Sequence, residues 1–293
     1  VKKACDSCMK SKFYMIADMD KLKAQALIEK HLISPDLVEN SPYGAVIIND
    51  TEDISIMLNE EDHIREQCIV SGFGLEQAYN NIVKVDKALE AEVEIAYDKD
   101  FGYLTACPTN LGAAMRASVM LFLPALTILG SINSFILKYQ ENGFTTRGVY
   151  GEGSEAEGFM YQVSNQAAIG QSEKEILTRM NFVIKKLIDA ERIARKNLEK
   201  TRGADLKDEI MRSYGALKYA VKMSSAEFMK TLAMVKLGVC LGYVNVDIEK
   251  LNQLIVMSQP AMLCNLAGKR LNSNERDVTR MALIKKILWQ EEV

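Results

Sequence analysis

Short apolar runs of strand length and stretches of helical spacing alternate along the first two thirds of the chain, and helical spacing alone remains after that. Residues 45–49 and 53–58 are apolar runs on either side of the polar turn Asn49-Asp50-Thr51-Glu52, which predicts a β-hairpin. Further short strands are expected at 101–106, 144–149 and 159–164, and helices at 20–29, 74–97 and 115–123. Lys30-His31-Leu32-Ile33-Ser34-Pro35 reads as the entry to a loop. Ser172 and Glu175 form a capping box that opens a long helix, with Ile176, Met180, Ile184, Leu187 and Ile188 as its apolar stripe. After Thr201-Arg202-Gly203 the strand signals fade. A second box at Ser224 and Glu227, glycines at 238 and 242, and a last helix from about 274 follow. The pattern predicts an α+β fold: a frayed end or linker at 1–12, a mixed domain at 13–203 and an all-helical domain at 204–293, with no internal repeat.

Composition narrows the class without choosing a function. The 293 residues are 48% hydrophobic and 26% charged with net charge −3, which argues against disorder, a collagen-like chain or a nucleic-acid-binding surface. The longest apolar stretch, 117–132, contains Pro124, so a buried helix interrupted by proline is expected rather than a membrane span. The Val-Lys-Lys start carries no apolar signal segment, so a cytoplasmic location is expected. Of the six cysteines only Cys5 and Cys8 form a Cys-x-x-Cys pair, with no second pair at zinc-ribbon spacing. Inert or redox-labile thiols are the plain reading of that pair, zinc the alternative.

The candidate chemistry begins at Asn59-Glu60-Glu61-Asp62-His63-Ile64-Arg65, directly after the apolar run Ile54-Ser55-Ile56-Met57-Leu58. If that strand continued, Glu61, His63 and Arg65 would share one face at its end. Arg65, Arg116 and Arg147 each stand beside a strand or glycine loop. A single such arginine is more often a surface salt bridge. Three converging guanidiniums are what a polyphosphate needs, since each planar fork binds phosphate oxygens and keeps its charge. The chain has no Gly-x-x-x-x-Gly-Lys-Ser/Thr loop, so a nucleotide here would be held by arginines. Glu61, with Glu152 in the Gly- and Glu-rich loop 150–158, suits a cationic acceptor: a guanidinium takes carboxylates in bidentate fashion and must lose a tightly held proton to become a nucleophile. Cys107 heads the loop Cys107-Pro108-Thr109-Asn110-Leu111-Gly112; alone it fits a buried inert thiol, and near cations a thiolate.

Together the acidic run, the Cys107 loop with Arg116, and Arg147-Gly148 with the following Gly-Glu loop resemble the ATP:guanidino phosphotransferase family, over roughly residues 13–200. Glu29-Lys30-His31-Leu32-Ile33-Ser34-Pro35, Tyr150-Gly151-Glu152-Gly153-Ser154-Glu155-Ala156, Arg212-Ser213-Tyr214-Gly215, Leu237-Gly238 and Leu241-Gly242-Tyr243 are most similar to its bacterial protein-arginine kinase branch. The resemblance implies an antiparallel β-sheet flanked by helices, of the glutamine-synthetase and guanidino-kinase type, followed by an all-helical C-terminal domain that dimerises. It implies ATP and Mg²⁺, with Glu61 as the base, Glu152 as a second carboxylate and Cys107 lining the guanidino pocket. Arg65, Arg116 and Arg147 would hold phosphates, and His31 would lie against the nucleoside. No protein metal ligand is implied. Glu275-Arg276-Asp277-Val278-Thr279-Arg280 resembles a segment that binds phosphoarginine away from the active site, which assigns Arg276, Asp277 and Arg280. The implied partners are proteins with exposed arginine, a zinc-binding activator and a protease complex in the stress response, with neither nucleic acid nor membrane.

Three departures accompany the resemblance. The family's small N-terminal domain, with its Ser-Ser-Arg-x-Arg segment, has no counterpart here. Gly112-Ala113-Ala114 stands where the family has Gly-Thr-Gly, which matters only if the backbone there needs positive φ or close approach to phosphate. Met281 stands where the distal segment has Ala. A catalytically weak phosphoarginine-binding module and a kinase of free guanidino compounds are the alternatives.

Overall fold

The computed structural model describes residues 1–39, 42–148 and 156–290. In chain order its elements begin with α1 (Lys2–Cys8), β1 (Ser11–Met15), α2 (Lys21–Glu29), α3 (Pro35–Glu39), β2 (Ala45–Asn49), β3 (Ile54–Leu58) and β4 (Ile64–Cys68). Next come α4 (Leu75–Glu90), β5 (Tyr97–Asp98), β6 (Gly102–Tyr103), β7 (Ser118–Phe122), α5 (Pro124–Ile128), α6 (Ile132–Gln140), β8 (Phe144–Gly148) and β9 (Met160–Asn165). Five helices complete the chain: α7 (Glu173–Tyr219), α8 (Ser225–Cys240), α9 (Ile248–Met257), α10 (Pro260–Ala267) and α11 (Ser273–Trp289). The fold is α+β. Two compact units emerge, Val1–Val119 with Ser164–Phe182, and Met120–Val163 with Val183–Val293.

The first unit is built on an antiparallel sheet of order β1-β2-β3-β4. Both faces of its two central strands are covered, which is why they read as nearly continuous apolar runs. Val46, Ile48 and Met57 pack on one side with Leu27 of α2, Leu32, Ile33 and Leu37 of α3. Ile47, Ile54 and Ile56 pack on the other with Ala4 and Cys5 of α1 and with Val85 and Leu89 of α4. The expected hairpin at 45–58 is present, with Glu52 of its turn at φ 55°.

Three local expectations are corrected. Residues 1–12 are not a frayed end: α1 buries Ala4 and Cys5 against the sheet, and β1 pairs with β2 from Ser11↔Asn49 to Met15↔Ala45. Two apolar positions in one short turn are too few to signal a helix from sequence. Residues 115–123 are not a helix but a coil leading into β7, and the helix starts only at Pro124, in the first turn of α5. Proline disfavours the α conformation of the residue before it, and Leu123 sits at φ −120°, ψ 55°. The acidic run does not extend β3: Asn59 turns at φ 55°, its N–H donates to the His63 carbonyl at 3.0 Å, and the chain returns as β4 with Met57 opposite Arg65. Smaller differences are that α4 ends at Glu90 and that the 101–106 strand shortens to β6, paired with β5.

Strands β7, β8 and β9 form a further sheet of order β7-β9-β8. Glu191 of α7, almost fully buried, accepts the first N–H groups of α5 (Ala125 at 3.1 Å, Leu126 at 3.0 Å) and pairs with Arg195 at 2.7 Å. A carboxylate placed at a helix N-terminus satisfies donors that the helix cannot satisfy itself. Helix α7 departs from helical geometry at Arg202 (φ −125°). Helix α11 carries a complete capping box, Asn272 with Glu275.

Glu66 on β4 lies on the sheet face toward α1 and α4, and its Oε2 is buried with no hydrogen-bond partner among the described residues. Burial, reinforced by Asp86 and Glu90 of α4, pushes its carboxyl up from 4.5 to about 8. The folded chain therefore keeps a proton there that the unfolded chain loses above its ordinary pKa, so this group lowers stability as pH rises from about 4.5 to about 8. Glu66→Gln should flatten that dependence, with the largest gain in melting temperature above pH 8. Melting curves from pH 5 to 9 test this, and parallel profiles for the two proteins would refute it.

Candidate active site

The turn between β3 and β4 sends its three consecutive acids to three different tasks. Glu60 turns inward, with its side chain 4% exposed. It accepts the Ser34 hydroxyl, the Arg65 Nη1 at 2.9 and 3.1 Å, and the Glu61 N–H at 3.3 Å. Burial alone would raise its pKa, but Ser34, Arg65 and the Glu61 N–H outweigh it and hold the carboxyl below the usual range. Asp62 accepts the Ala106 N–H at 2.7 Å, tying the turn to the Cys107 loop. Glu61, between them, is exposed, and its carboxylate has no hydrogen bond or ion pair among the described residues.

The Ser34 hydroxyl that donates to Glu60 also accepts from the Leu37 N–H at 3.1 Å, and so starts α3. Its own N–H reaches the Met57 Sδ at 3.4 Å, while Gln67 of β4 donates to the His31 carbonyl. The segment from His31 to Ser34 is thereby fastened over β3 and β4. His31 adopts φ 59°, uncommon for a non-glycine residue, and desolvation lowers the pKa of its ring, favouring neutral imidazole. Arg65 spends Nη1 on Glu60, leaving its Nε and Nη2 donors uncommitted among the described residues.

Cys107 precedes a single 3₁₀ turn, Pro108–Asn110, with its Sγ 3.1 Å from the Thr109 hydroxyl. Thr105 donates to the Cys107 carbonyl at 2.8 Å. Downstream, Gly112 sits at φ 98°, where an added Cβ would lie 2.7 Å from the Ala168 carbonyl oxygen, so glycine is required for both reasons. Ala114 adopts φ 46°. The substitution of the family's second glycine therefore falls on left-handed backbone, where a Cβ is strained.

Arg116 is exposed without a partner among the described residues, yet its backbone is tightly held. The buried amide of Asn165 accepts the Ala117 N–H at 2.8 Å and donates to the Met115 and Ala167 carbonyls at 3.1 Å each. Asn165 was missed in the sequence, because a single asparagine at a strand end carries no motif. Arg147 lies in the second unit, exposed on β8, and Glu152 lies outside the described residues. Thus Glu61, Arg65, Cys107, Arg116 and His31 all belong to the first unit.

Arg276, Asp277 and Arg280 share α11 but differ in freedom. Arg280 is 1% exposed and donates to Asp277 (2.8 Å), the Met223 carbonyl (2.6 Å), the Ser258 carbonyl (3.2 Å) and the Ser225 hydroxyl (2.7 Å). It is an internal strut joining α8, α9 and α11. Arg276 is half-buried and donates to the Leu271 carbonyl at 3.0 Å. Cys5 is buried, with its thiol pushed up to about 11, and Cys8 is exposed. No group of three or more His, Cys, Asp or Glu side chains suited to a metal occurs among the described residues.

Residues 1–194 match the family model described as ATP:guanido phosphotransferase, C-terminal catalytic domain. The chain belongs to the ATP:guanido phosphotransferase family. It is a phosphotransferase, and the family description names ATP as the donor. Residues 203–292 match a second model, Protein-arginine kinase McsB C-terminal domain. Among similar proteins, the Protein-arginine kinase of Caldanaerobacter subterraneus subsp. tengcongensis is 44% identical over 95% of this chain and 83% of its own length. That of Bacillus subtilis is 44% identical over 96% of this chain and 78% of its own. Lombricine kinase shares the fold at a TM-score of 0.55 and 24% identity, over 65% of this chain and 58% of that one. The duplicated taurocyamine kinase of Schistosoma mansoni does so at 0.58 and 18%, over 92% and 43%. Among the described residues no helix is long and apolar enough to cross a membrane.

The strain at Ala114 is open to a direct test. Ala114 is exposed, so Ala114→Gly removes no buried contact and relieves the left-handed penalty; the variant should gain about 0.5–1 kcal/mol after its larger unfolded-state entropy is subtracted. Urea unfolding measures it, and a loss of stability would show that the backbone there is unstrained.

Proposed function

We propose that this chain transfers the γ-phosphoryl group of ATP to arginine side chains in proteins. The observation that carries the reading is the Glu61 carboxylate, exposed and without a partner among the described residues, between two acids that are both engaged. A guanidinium holds its proton with a pKa of about 12.5–13.8, so its nitrogen attacks phosphorus only as a base takes the proton. Glu61 orients the guanidinium and accepts that proton while the nitrogen–phosphorus bond forms and ADP departs. Arg65, Arg116 and Arg147 bind phosphate oxygens, so that catalysis is mostly positioning and charge stabilisation. Cys107 lines the guanidino pocket, Glu152 supplies a second carboxylate, and His31 lies against the nucleoside. Mg²⁺ bound to the ATP phosphates would neutralise their charge with water as most of its other ligands, and no protein ligand is assigned to it.

The similar proteins named protein-arginine kinase support protein arginine as the acceptor rather than a free guanidino compound. We assign residues 13–203 to catalysis and 204–293 to a helical domain that dimerises and binds phosphoarginine through Arg276 and Asp277, with Arg280 holding Asp277 in place. The biological reading is cytoplasmic marking of proteins for regulated degradation under stress, together with a zinc-binding activator and a protease complex.

Glu61→Gln should lower formation of acid-labile phosphoarginine by at least about 100-fold, the range of general-base catalysis, while thermal unfolding stays at the wild-type value. Mass spectrometry of an arginine-containing protein incubated with ATP and Mg²⁺ measures it. Full activity in the variant removes Glu61 as the base, and phosphorylation of free arginine in preference to protein arginine would reassign the acceptor.

A further inference from the structure

The catalytic reading uses only the middle acid of the turn, which leaves the third, Asp62, without a task. Its carboxylate oxygen accepts the Ala106 N–H at 2.7 Å, a short charge-assisted bond between the β3–β4 turn and a loop more than forty positions further along the chain. Asp62 is the residue after Glu61, and Ala106 the residue before Cys107. One hydrogen bond therefore sets the spacing between the carboxylate and the thiol. Among the described residues the rest of the Cys107 loop is braced locally, by Thr105 and the Asn110 N–H on the Cys107 carbonyl and by Thr109 beside the sulfur. Its downstream end is fixed separately, where Gly112 pairs with Tyr103 and packs against Ala168. At its upstream end, Leu104 is held by the Ala96 carbonyl. Between those anchors, Asp62 provides the link from the loop to the acidic turn.

We propose that Asp62 is a positioning residue that clamps the Cys107 loop against the acidic turn, setting the width of the guanidinium pocket without touching the nucleotide. The inference rests on the reading of Glu61 and Cys107 as the guanidinium side of the site. Glu60 does the corresponding work on the other side by holding Arg65, so loss of the Asp62 bond should act on one substrate only.

The test compares Asp62→Ala, which removes the acceptor, with Asp62→Asn, which keeps an acceptor oxygen. The first readout needs no activity: peptide-resolved alkylation of Cys107 by iodoacetamide, with the exposed Cys8 and Cys240 of the same chain as internal references. Asp62→Ala should speed Cys107 alkylation about tenfold relative to those references, as expected for losing one charge-assisted bond, and Asp62→Asn should restore most of the protection. The second readout is kinetic: KM for the arginine-bearing protein should rise about tenfold in Asp62→Ala while KM for ATP stays within about twofold. Unchanged Cys107 alkylation overturns the clamp, as does a joint rise in both KM values. If the wild-type chain phosphorylates no arginine, the functional reading fails while alkylation still decides the clamp. If Asp62→Ala does not fold, Asp62→Leu, which removes the acceptor while keeping the side chain's bulk, decides it: faster Cys107 alkylation in the folded Leu variant supports the clamp, and an unchanged rate overturns it.

Discussion

The buried carboxylate of Glu60 is the contact on which the rest of the site depends. A carboxylate with so little access to water is costly unless its lone pairs are filled, and here a hydroxyl, a guanidinium and a backbone N–H fill them. Each of those donors comes from a different piece of structure: the start of α3, strand β4 and the turn itself. Satisfying one buried charge therefore draws three segments together. The same residue orients Arg65 without exhausting its donors, which a bidentate partner using only one nitrogen permits.

That arrangement accounts for three acids in a row. Repulsion between neighbouring carboxylates is tolerable because their environments differ. Glu60 is compensated in the interior, Asp62 accepts a backbone N–H, and Glu61 faces water. Only a group left without a partner can accept a cationic substrate at no cost to existing bonds. The proposed phosphate side follows the same logic: the Asn165 amide holds the backbone on both sides of Arg116, so the exposed guanidinium starts from a fixed base.

Strain and burial mark where the chain has been asked for more than packing. His31 and Ala114 both hold left-handed backbone in segments that flank the candidate site, a pattern common where geometry serves chemistry. Arg280 is the opposite case. Four hydrogen bonds in the interior make it a support for Asp277. Sequence similarity finds such a segment; only burial separates its interior arginine from the half-buried Arg276.

Period and motif were enough to read the β2–β3 hairpin, strands β8 and β9, helices α2, α4, α7 and α11, and the family. Each of those signals is local: alternation, capping and spacing act within a few residues. What failed was decided by contacts far apart in sequence. Helix α1 is stabilised by burying Ala4 and Cys5 against residues more than forty positions away, and β7 is extended because it pairs with β9. The division of labour among Glu60, Glu61 and Asp62 belongs to the same class, since identical carboxyl chemistry at adjacent positions is distinguished only by Ser34, Arg65 and Ala106. The sequence by itself determined which groups are available, and the tertiary structure decided which of them is left free to react, because freedom is defined by every partner a group does not have.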